Sequence, residues 1–473
     1  MASSAFAQAP DTLWTRIYGD STSNAVNCVI QTLDGGYFIV SNTDSSQWAN
    51  ILLVRLDPSG NFLWLRNFGG SDSDAGKAAD LTFTGGYIVA GASRNFSPDN
   101  NWDGWLINLD SEGDTVWTRT YGDNNAQNFS CIKRTVDGGY VAAGINNNHC
   151  WCLKINQNGD QLWSRRYPFN GWFQSSIKSI AQTDNGDFLM TGLLWNADST
   201  KLFIMKTDSQ GDTIFTRIIS PAGSSYGNCI RVDTNNGGFV VAGNVGDDIS
   251  YCYLVKCNDD GDTLWTRMYG DGLNRYGEGR QELDLTSDAG YILVTELENP
   301  PSPNRNIYVV RTNSLGQVAW VQTYGPTGWI TGGACVQRTA DDGYIIGGYT
   351  KSSSSDDGDI YLVKLAGEQT DIHDGESILV PVFINLFQNY PNPFNPSTTI
   401  NYQITVSAHA TITTYNVLGQ VMRTLVDEEK EPGDYSIVWD GKNDKGQSVA
   451  SGTYFYELRA GDYTSTKKSL LLK

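Results

Sequence analysis

The chain has 473 residues, with 52 Asp and Glu against 33 Lys and Arg, and a net charge of −19. This acidity argues against nucleic acid as a partner, because phosphate binding needs clustered Lys and Arg. No stretch of the sequence is long and apolar enough to span a membrane.

The first ten residues, MASSAFAQAP, resemble the end of a secretory signal peptide. Ala5-Phe6-Ala7 fits the small-x-small cleavage pattern, although the charged start and the apolar core of a signal are missing. Either the sequence begins inside a longer signal or the similarity is chance. We expect residues 1–10 to be a residual signal tail.

A unit of about fifty residues repeats seven times from Asp11 to about Leu365. Each unit contains a Gly-rich turn ending in an aromatic residue, an apolar strand and a Trp strand. The turns are Asp34–Tyr37, Thr84–Tyr87, Asp137–Tyr140, Asn185–Phe188, Asn236–Phe239, Asp288–Tyr291 and Asp341–Tyr344. A fixed period of this size is typical of solenoids, propellers and other repeat arrays.

The type of strand decides among these architectures. Short runs rich in Val, Ile, Tyr and Trp, bounded by Gly, Asn and Asp, indicate four strands per unit, which we call A to D. Seven such units predict a seven-bladed β-propeller at residues 11–366. The chain starts with an unaccompanied strand D and the last unit lacks one, so we expect the N-terminal strand to close the last blade.

Turn chemistry assigns the loops to two rims. The A–B and C–D turns are short and Gly-rich, as tight hairpins require, and share one rim. The D–A and B–C connections are longer and unlike one another, and share the opposite rim. Binding residues tend to lie on variable loops held by a rigid scaffold, so the D–A/B–C rim is the predicted binding face.

Eight cysteines would suit disulfides in an exported protein. Four of them, however, occupy equivalent strand-A positions in alternate blades: Cys28, Cys131, Cys229 and Cys335. The fold keeps equivalent positions apart, so buried free thiols acting as small apolar residues are predicted.

Residues 367–385 form a predicted linker, and residues 386–473 alternate apolar residues with Gly, Asn and Asp turns, which predicts a small immunoglobulin-like β-sandwich. Its motifs are Pro391-Asn392-Pro393-Phe394, Leu418-Gly419-Gln420, Trp439-Asp440-Gly441, Ala450-Ser451-Gly452-Thr453-Tyr454 and Lys467-Lys468…Lys473. They resemble, in order, the type A C-terminal sorting domain of the type IX secretion system of Bacteroidetes and related bacteria. The Trp439-to-Tyr454 part also resembles the immunoglobulin-like domain of flagellar hook-capping proteins.

The resemblance implies export across the outer membrane, recognition by the secretion machinery and removal by a sortase-like peptidase. The protein would then be extracellular or held at the outer-membrane surface after passing through the periplasm. The sorting residues implied are Pro391, Asn392, Pro393, Phe394, Gly452, Tyr454, Lys467, Lys468 and Lys473. The propeller repeats resemble those common in such sorted proteins, a group that implies no single activity.

Aromatic residues beside Asn, Asp and Arg occur in the predicted D–A and B–C loops and suit sugars or peptides, because a ring stacks on an apolar face while polar groups orient it. The same rings could instead pack the loops against the rim. The candidate ligand-binding residues are Trp102, Trp172, Trp195, Arg275, Tyr276 and Trp329.

Glu282 occupies a strand-A position that holds small residues in the other blades, so it and Glu278 are weak candidates for a catalytic acid/base pair, with Arg275 and Arg280 as nearby partners. The lone propeller histidine, His149, excludes His-based triads and most transition-metal sites. No cofactor or metal site is predicted. The Asp-rich C–D turns leave calcium open, although a type I turn with a Gly bulge explains the same residues.

The sequence therefore predicts a secreted or cell-surface propeller that binds polysaccharide or another surface protein. The alternatives are an extracellular polysaccharide-active hydrolase or lyase, and a structural surface protein.

Overall fold

The computed structural model describes residues 9–19, 23–44, 49–96, 101–221, 223–246, 251–270, 275–276, 282–298, 305–352, 358–368, 384–386, 389, 391–404, 408–431, 433–460 and 463–472. These residues form strands, turns and bends, and the described part of the chain has no helix that could cross a membrane. The chain divides into two compact units, Met1–Met268 with Asn274–Gly375, and Tyr269–Leu273 with Glu376–Lys473. The predicted linker lies mostly outside the described residues.

The larger unit contains seven repeated sheets, counted over the described residues and numbered here as blades in chain order. The first strand of the chain is β1 (Thr12–Tyr18). Blade 1 contains β2 (Ser23–Gln31), β3 (Tyr37–Asp44), β4 (Ala49–Leu56) and β5 (Phe62–Phe68). Blade 2 contains β6 (Asp74–Leu81), β7 (Tyr87–Ser93), β8 (Asp103–Leu109) and β9 (Thr115–Tyr121). Blade 3 contains β10 (Gln127–Arg134), β11 (Tyr140–Asn146), β12 (His149–Ile155) and β13 (Gln161–Tyr167).

The remaining blades follow the same order. Blade 4 contains β14 (Gln174–Gln182), β15 (Phe188–Trp195), β16 (Thr200–Thr207) and β17 (Thr213–Ile219). Blade 5 contains β18 (Ser225–Val232), β19 (Phe239–Val245), β20 (Tyr251–Cys257) and β21 (Thr263–Tyr269). In blade 6, β22 (Arg275–Tyr276) and β23 (Glu282–Leu285) both pair with β24 (Tyr291–Glu298), followed by β25 (Arg305–Thr312) and β26 (Val318–Tyr324). Blade 7 contains β27 (Ile330–Arg338), β28 (Tyr344–Lys351) and β29 (Asp359–Leu365).

The N-terminal strand completes the last blade, as the sequence predicts. β1 pairs antiparallel with β29, in the register Thr15 to Val363. Blade 7 also packs on blade 1, since Cys335 and Val26 lie in one hydrophobic cluster. The Gln31 amide N–H donates to Gln337 Oε1 at 2.6 Å across the same junction. The all-β propeller class is therefore confirmed.

A β-bulge near the middle of strand A recurs at the same position in six blades. In β2 the pairing shifts between Val26 and Cys28, and equivalent shifts occur in β6, β10, β14, β18 and β27. The residue after each shift forms a column, and Glu282 opposite Val294 continues it in blade 6. The column contains Cys28, Ala78, Cys131, Ser179, Cys229, Glu282 and Cys335. The predicted equivalence of these positions is confirmed.

All eight cysteines are free thiols, and all but the half-buried Cys28 are buried. Burial raises the pKa of the Cys150 and Cys252 thiols to about 12. The prediction of thiols that act as small apolar residues is confirmed.

Strand D fastens each blade to the next. The Arg119 guanidinium lies 6.0 Å from the centre of the Trp117 ring, and this ring packs under Gly159 of the next C–D turn. Arg119 then pairs with Asp160 of that turn at 2.8 Å, and the Tyr121 hydroxyl donates to the Gly159 carbonyl at 2.7 Å. Equivalent Arg–aromatic stacks occur at Trp14, Trp64, Trp163, Phe215 and Trp265. The Trp/Arg spacing of the sequence is therefore a packing device.

A second junction lies at the A–B turns. A Lys or Arg near the end of strand C pairs with an acid of its own turn in most blades: Arg55 with Asp34, Lys154 with Asp137, Lys206 with Asp187, Lys256 with Asp233, Arg311 with Asp288 and Lys364 with Asp341. The aromatic residue of the next blade's turn reaches the same pair, as when Arg55 donates to the Tyr87 hydroxyl at 2.9 Å. The Gly-rich turns thus tie neighbouring blades together.

The smaller unit is a sandwich of two antiparallel sheets. One sheet contains β30 (Ile384–Leu386), β31 (Thr398–Ile404) and β34 (Gly433–Trp439), and the other contains β33 (Val421–Lys430), β32 (Ala408–Asn416), β35 (Gly452–Ala460) and β36 (Tyr463–Leu471). Trp439 is fully buried in the core of this sandwich. Its ring centre lies 5.4 Å from that of Phe394 and 5.2 Å from that of Tyr454. The predicted sandwich is confirmed.

Candidate functional site

The loop between blades 3 and 4 is anchored to the D–A/B–C rim by two of its aromatic residues. Phe169 lies 5.1 Å from the Phe203 ring, and it and Trp172 pack against the hydrophobic cluster between blades 3 and 4. Gly171 has a φ of 86°, which lets the chain turn between these anchors. Because both anchors are fixed, the next residue, Phe173, is held on the surface.

Phe173 and Trp195 form an exposed aromatic pair, which we call the blade 4 platform. Their side chains are 62% and 44% exposed, and the ring centres are 5.9 Å apart at 65°, an edge-to-face arrangement. The Phe173 N–H donates to the Trp195 carbonyl at 2.9 Å, so the backbone fixes the spacing of the rings. Because the rings are inclined at 65°, one of them can stack on a flat apolar ligand face while the other borders the ligand, and neither ring must first be ordered.

Polar groups border this platform in a structured B–C turn. Asn196 Oδ1 accepts the N–H groups of Asp198 and Ser199 at 3.0 and 2.9 Å, and the Asn196 N–H donates to the Ser199 carbonyl. Asp198 lies in this Asx turn, three residues after Trp195, and is exposed. A ligand on the rings would find hydrogen-bonding groups at its edge.

The other predicted ligand-binding residues belong to different blades. Trp102 precedes β8 of blade 2, and Trp329 lies between blades 6 and 7, each half-buried. Arg275 and Tyr276 form β22, which pairs with Glu298 and Leu297; their side chains lie outside the described part of the structure. Of the predicted residues, Trp172 and Trp195 are both neighbours of Phe173. Trp172 precedes Phe173 in the loop, and the Trp195 ring contacts the Phe173 ring. Phe173 was not predicted, and alternation of inward and outward residues after Trp172 is the signal that would have found it.

Glu282 is paired across a blade junction. Its Oε1 accepts from Arg231 Nη2 at 3.0 Å, and Arg231 also lies 3.8 Å from Asp284. The expected partner Arg280 and the second catalytic candidate, Glu278, lie outside the described residues. An arginine held between two carboxylates makes this group an interblade ion-pair network.

A shallow cleft of about 320 Å³ borders this network between blades 6 and 7. It is lined by Asp284, Leu285, Arg338, Thr339, Ala340 and Asp342, which places it on the A–B/C–D rim. Burial raises the pKa of the Asp284 carboxyl, against the opposing charge of Arg231. The Arg338 N–H donates to Asp284 Oδ2 at 2.8 Å, so Asp284 links three blades.

The Asp-rich C–D turns use their carboxylates internally. Asp57 Oδ1 accepts the N–H groups of Ser59 and Asn61 at 2.9 and 2.8 Å, and Gly60 has a φ of 78°. This is the hydrogen bonding of a type I turn with a Gly bulge. Among the described residues, no group of three or more His, Cys, Asp and Glu is placed to hold a metal ion.

The motif residues of the sandwich divide into core and surface. Phe394 and Tyr454 are buried, whereas Pro391, Asn392, Pro393 and Lys468 are exposed. Asn392 Oδ1 accepts the Leu470 N–H at 2.9 Å, which attaches the proline motif to the last strand. Gly452, with a φ of 153°, begins β35. Lys467 lies half-buried in β36, and Lys473 is outside the described residues.

Comparison with known proteins finds one family model that matches a segment of the C-terminal unit. Residues 394–463 match the family of the FlgD Ig-like domain, so the predicted immunoglobulin-like character of this segment is confirmed. A search of curated protein sequences finds no match to the chain.

Several solved structures resemble the chain at 12% identity or less. A protein of unknown function from Bacteroides caccae shares 12% identity over 64% of this chain and 94% of its own, with a TM-score of 0.38. The periplasmic gluconolactonase PpgL of Pseudomonas aeruginosa shares 12% identity over 64% of this chain and 95% of its own, with a TM-score of 0.41. PorZ is a surface component of the type IX secretion system of Porphyromonas gingivalis. It shares 11% identity over 95% of this chain and 75% of its own, with a TM-score of 0.31. These values leave function open.

Proposed function

We propose that the protein is an exported binding module whose propeller holds polysaccharide against the blade 4 platform. The observation that carries this proposal is the exposed Phe173–Trp195 pair, fixed by a backbone hydrogen bond at the predicted binding rim. Aromatic rings stack on the apolar faces of sugar rings, and the polar turn at Asn196 supplies the hydrogen bonding that orients them.

The enzyme alternative receives less support from the described residues. Arg231 engages the Glu282 carboxylate directly, which favours a structural ion pair over a free acid or base. An adhesion surface for another protein would use the same rings, so protein binding is an outcome that the experiment must distinguish.

Replacing both platform rings, F173A/W195A, is expected to weaken retention on polysaccharide by about tenfold or more, because one ring supplies the stacking face and the other supplies contact at its edge. The unfolding temperature should change little, since neither ring belongs to the hydrophobic core. Retention of the full chain on a panel of insoluble and immobilised polysaccharides, with product analysis of the same samples, measures the effect.

Phe62→Ala is the matched control, because Phe62 is 55% exposed on an outer strand in blade 1. Trp172→Ala is unsuitable, since Trp172 packs on the core and its loss would lower stability. Equal retention of F173A/W195A and the parent chain would refute the platform. Sugar release by the parent would favour the enzyme alternative, and capture of a surface protein without any polysaccharide would favour adhesion.

We further propose that the sandwich is the export signal of a type IX secretion system. The exposed Pro391–Pro393 segment and Lys468 lie together, because Asn392 bonds the last strand. They form one surface that the secretion machinery and a sortase-like peptidase could recognise.

Deleting residues 386–473 is expected to abolish release or surface display in a Bacteroidetes host with a working type IX system, leaving the propeller in the periplasm. Fractionation and immunoblotting measure this. The full chain in a host lacking the system is the control, and it should accumulate in the periplasm as well. Surface display of the truncated chain would overturn the assignment.

A further inference from the structure

A hydrogen bond between neighbouring blades recurs on the D–A/B–C rim. It is made by a residue at the start of strand A, and where a glycine follows strand D of the preceding blade, as at Gly122 and Gly325, this residue lies beneath it. At three junctions this residue is a hydroxyl that accepts a strand-C N–H: Ser175 from Cys150 at 2.9 Å, Ser225 from Leu202 at 3.0 Å, and Thr331 from Ile307 at 3.3 Å. A hydroxyl can donate a hydrogen bond as well as accept one, so it can pair with both the donors and the acceptors around it.

The junction of blades 2 and 3 has a different composition. Gln127 takes the place of the hydroxyl and Asp103 begins strand C opposite it. Both side chains are buried, with 0% and 4% exposure. Asp103 Oδ1 and Gln127 Oε1 lie together at the place where a Cβ on Gly122 would stand. A carboxylate oxygen and an amide oxygen are therefore near neighbours beneath the Gly122 backbone.

The orientation of the amides is fixed by a third side chain. Gln127 Nε2 donates to Asp123 Oδ1 at 2.5 Å, and Asn146 Nδ2 donates to Asp123 Oδ2 at 3.5 Å. An amide must turn its NH₂ towards a carboxylate, so both amide oxygens point away from Asp123. Gln127 and Asn146 are opposite each other in the ladder of β10 and β11, hence on the same face. Neither Gln127 Oε1 nor Asn146 Oδ1 has a hydrogen-bond partner among the described residues.

Buried acceptors without a donor cost free energy, and here two amide oxygens share a junction with a buried carboxylate. Oxygen ligands of this kind, with one formal negative charge, are those that hard cations prefer. We propose that a divalent cation of the calcium class binds at this junction, coordinated by the side-chain oxygens of Asp103, Gln127 and Asn146. Water and backbone carbonyls would complete its shell.

The site would also order the rim beside it. The Gln127 N–H donates to the Trp102 carbonyl at 2.6 Å, and Asn101 Nδ2 donates to the Asn124 carbonyl at 3.2 Å. A cation on Asp103 and Gln127 would therefore join the loop of Trp102 in blade 2 to blade 3. Trp102 directly precedes the proposed ligand Asp103, so its ring can transfer excitation to a bound lanthanide.

The test uses the full chain, freed of metal by a chelator and exchanged into 0.15 M salt, with Ca²⁺ and Tb³⁺ as probes. We expect one saturable site by calorimetry, sensitised Tb³⁺ emission that Ca²⁺ displaces, and a rise of roughly 3 °C in Tm at saturating Ca²⁺. Mg²⁺ should bind more weakly, because it demands a stricter geometry.

Asp103→Asn distinguishes a bound cation from a bound water molecule by its effect on ion affinity and on Tm. It should lower the affinity for Ca²⁺ and Tb³⁺ by about tenfold or more and abolish the Ca²⁺-dependent rise in Tm. Its metal-free Tm should match or exceed the parent's, because the new amide can donate to Gln127. Asp110→Asn, in the exposed C–D turn of the same blade, is the control for diffuse binding to this acidic chain.

Two results would overturn the proposal. One is a parent chain that shows no saturable Ca²⁺ or Tb³⁺ binding, as expected if ordered water fills the site. The other is a D103N variant that binds both ions as the parent does. If D103N fails to fold, Asn146→Ser serves in its place, with the same expected loss of ion affinity.

Discussion

Deleting residues 1–19, which removes β1, is expected to leave the propeller aggregated and without a cooperative unfolding transition. β1 supplies the outer strand of blade 7 and also fastens that blade to blade 1. The Trp14 ring lies 5.6 Å from Tyr37 and packs under Gly60, and the Tyr18 hydroxyl donates to the Gly60 carbonyl. Without these contacts the edge of β29 is exposed, and an unpaired edge strand promotes aggregation.

Size-exclusion chromatography and thermal unfolding followed by circular dichroism measure this effect. Deleting residues 1–8 alone is the matched control and should leave the transition in place. A synthetic peptide of residues 9–19 should restore part of the monomer if pairing with β29 is the cause. A monomeric Δ1–19 chain with the parent's Tm would show that the ring does not depend on β1.

The second large effect is expected at the ion pair of blade 5. Lys256→Met should destabilise the propeller by about 3–5 kcal/mol, because it leaves Asp233 buried without its cation. The pair has a distance of 2.6 Å, and its side chains are 3% and 0% exposed. The Tyr291 hydroxyl also donates to Asp233 at 2.6 Å, so the loss would reach blade 6. Urea unfolding of the full chain measures the change.

The pair also predicts a pH dependence. Burial opposes the ionisation of Asp233, but hydrogen bonds from Lys256, Tyr291 and Asn236 outweigh it and hold the pKa of this carboxyl below its usual range. A lowered folded-state pKa stabilises the protein above the unfolded value of about 4, and this stability is lost as the pH falls through the folded value. The difference between parent and K256M should therefore narrow below about pH 4.

Arg338→Met is the matched control, because Arg338 and Asp342 form an exposed pair with 37% and 57% exposed side chains. It should cost no more than about 1 kcal/mol. An equal effect of the two substitutions, or a K256M penalty that persists unchanged at low pH, would contradict the role given to the buried pair.

Much of the propeller follows from the repeat itself. The fifty-residue period predicts the strand order, the bulge column at Cys28 and Cys131, and the closing role of β1, because every blade packs in the same way. The Trp and Arg of strand D are likewise two apart in the sequence and stacked in the structure. These features depend on local strand geometry, which a sequence pattern records directly.

The site depends on contacts that no local pattern contains. Arg231 pairs with Glu282 although 51 residues separate them, since neighbouring blades bring their inner strands together. Phe173, rather than Trp172, is exposed because a loop anchored by Phe169 and Trp172 turns its last ring outward. Rim loops lack the repeat's regularity, and which side a ring faces is decided by packing between blades.

The distribution of the thiols gives the propeller a set of internal reporters. All eight cysteines belong to odd-numbered blades: Cys28 in blade 1, Cys131, Cys150 and Cys152 in blade 3, Cys229, Cys252 and Cys257 in blade 5, and Cys335 in blade 7. Buried thiols with raised pKa values react only when their surroundings open. The rate at which each one is alkylated under native conditions would therefore show which of blades 1, 3, 5 and 7 opens first, without introducing any cysteine.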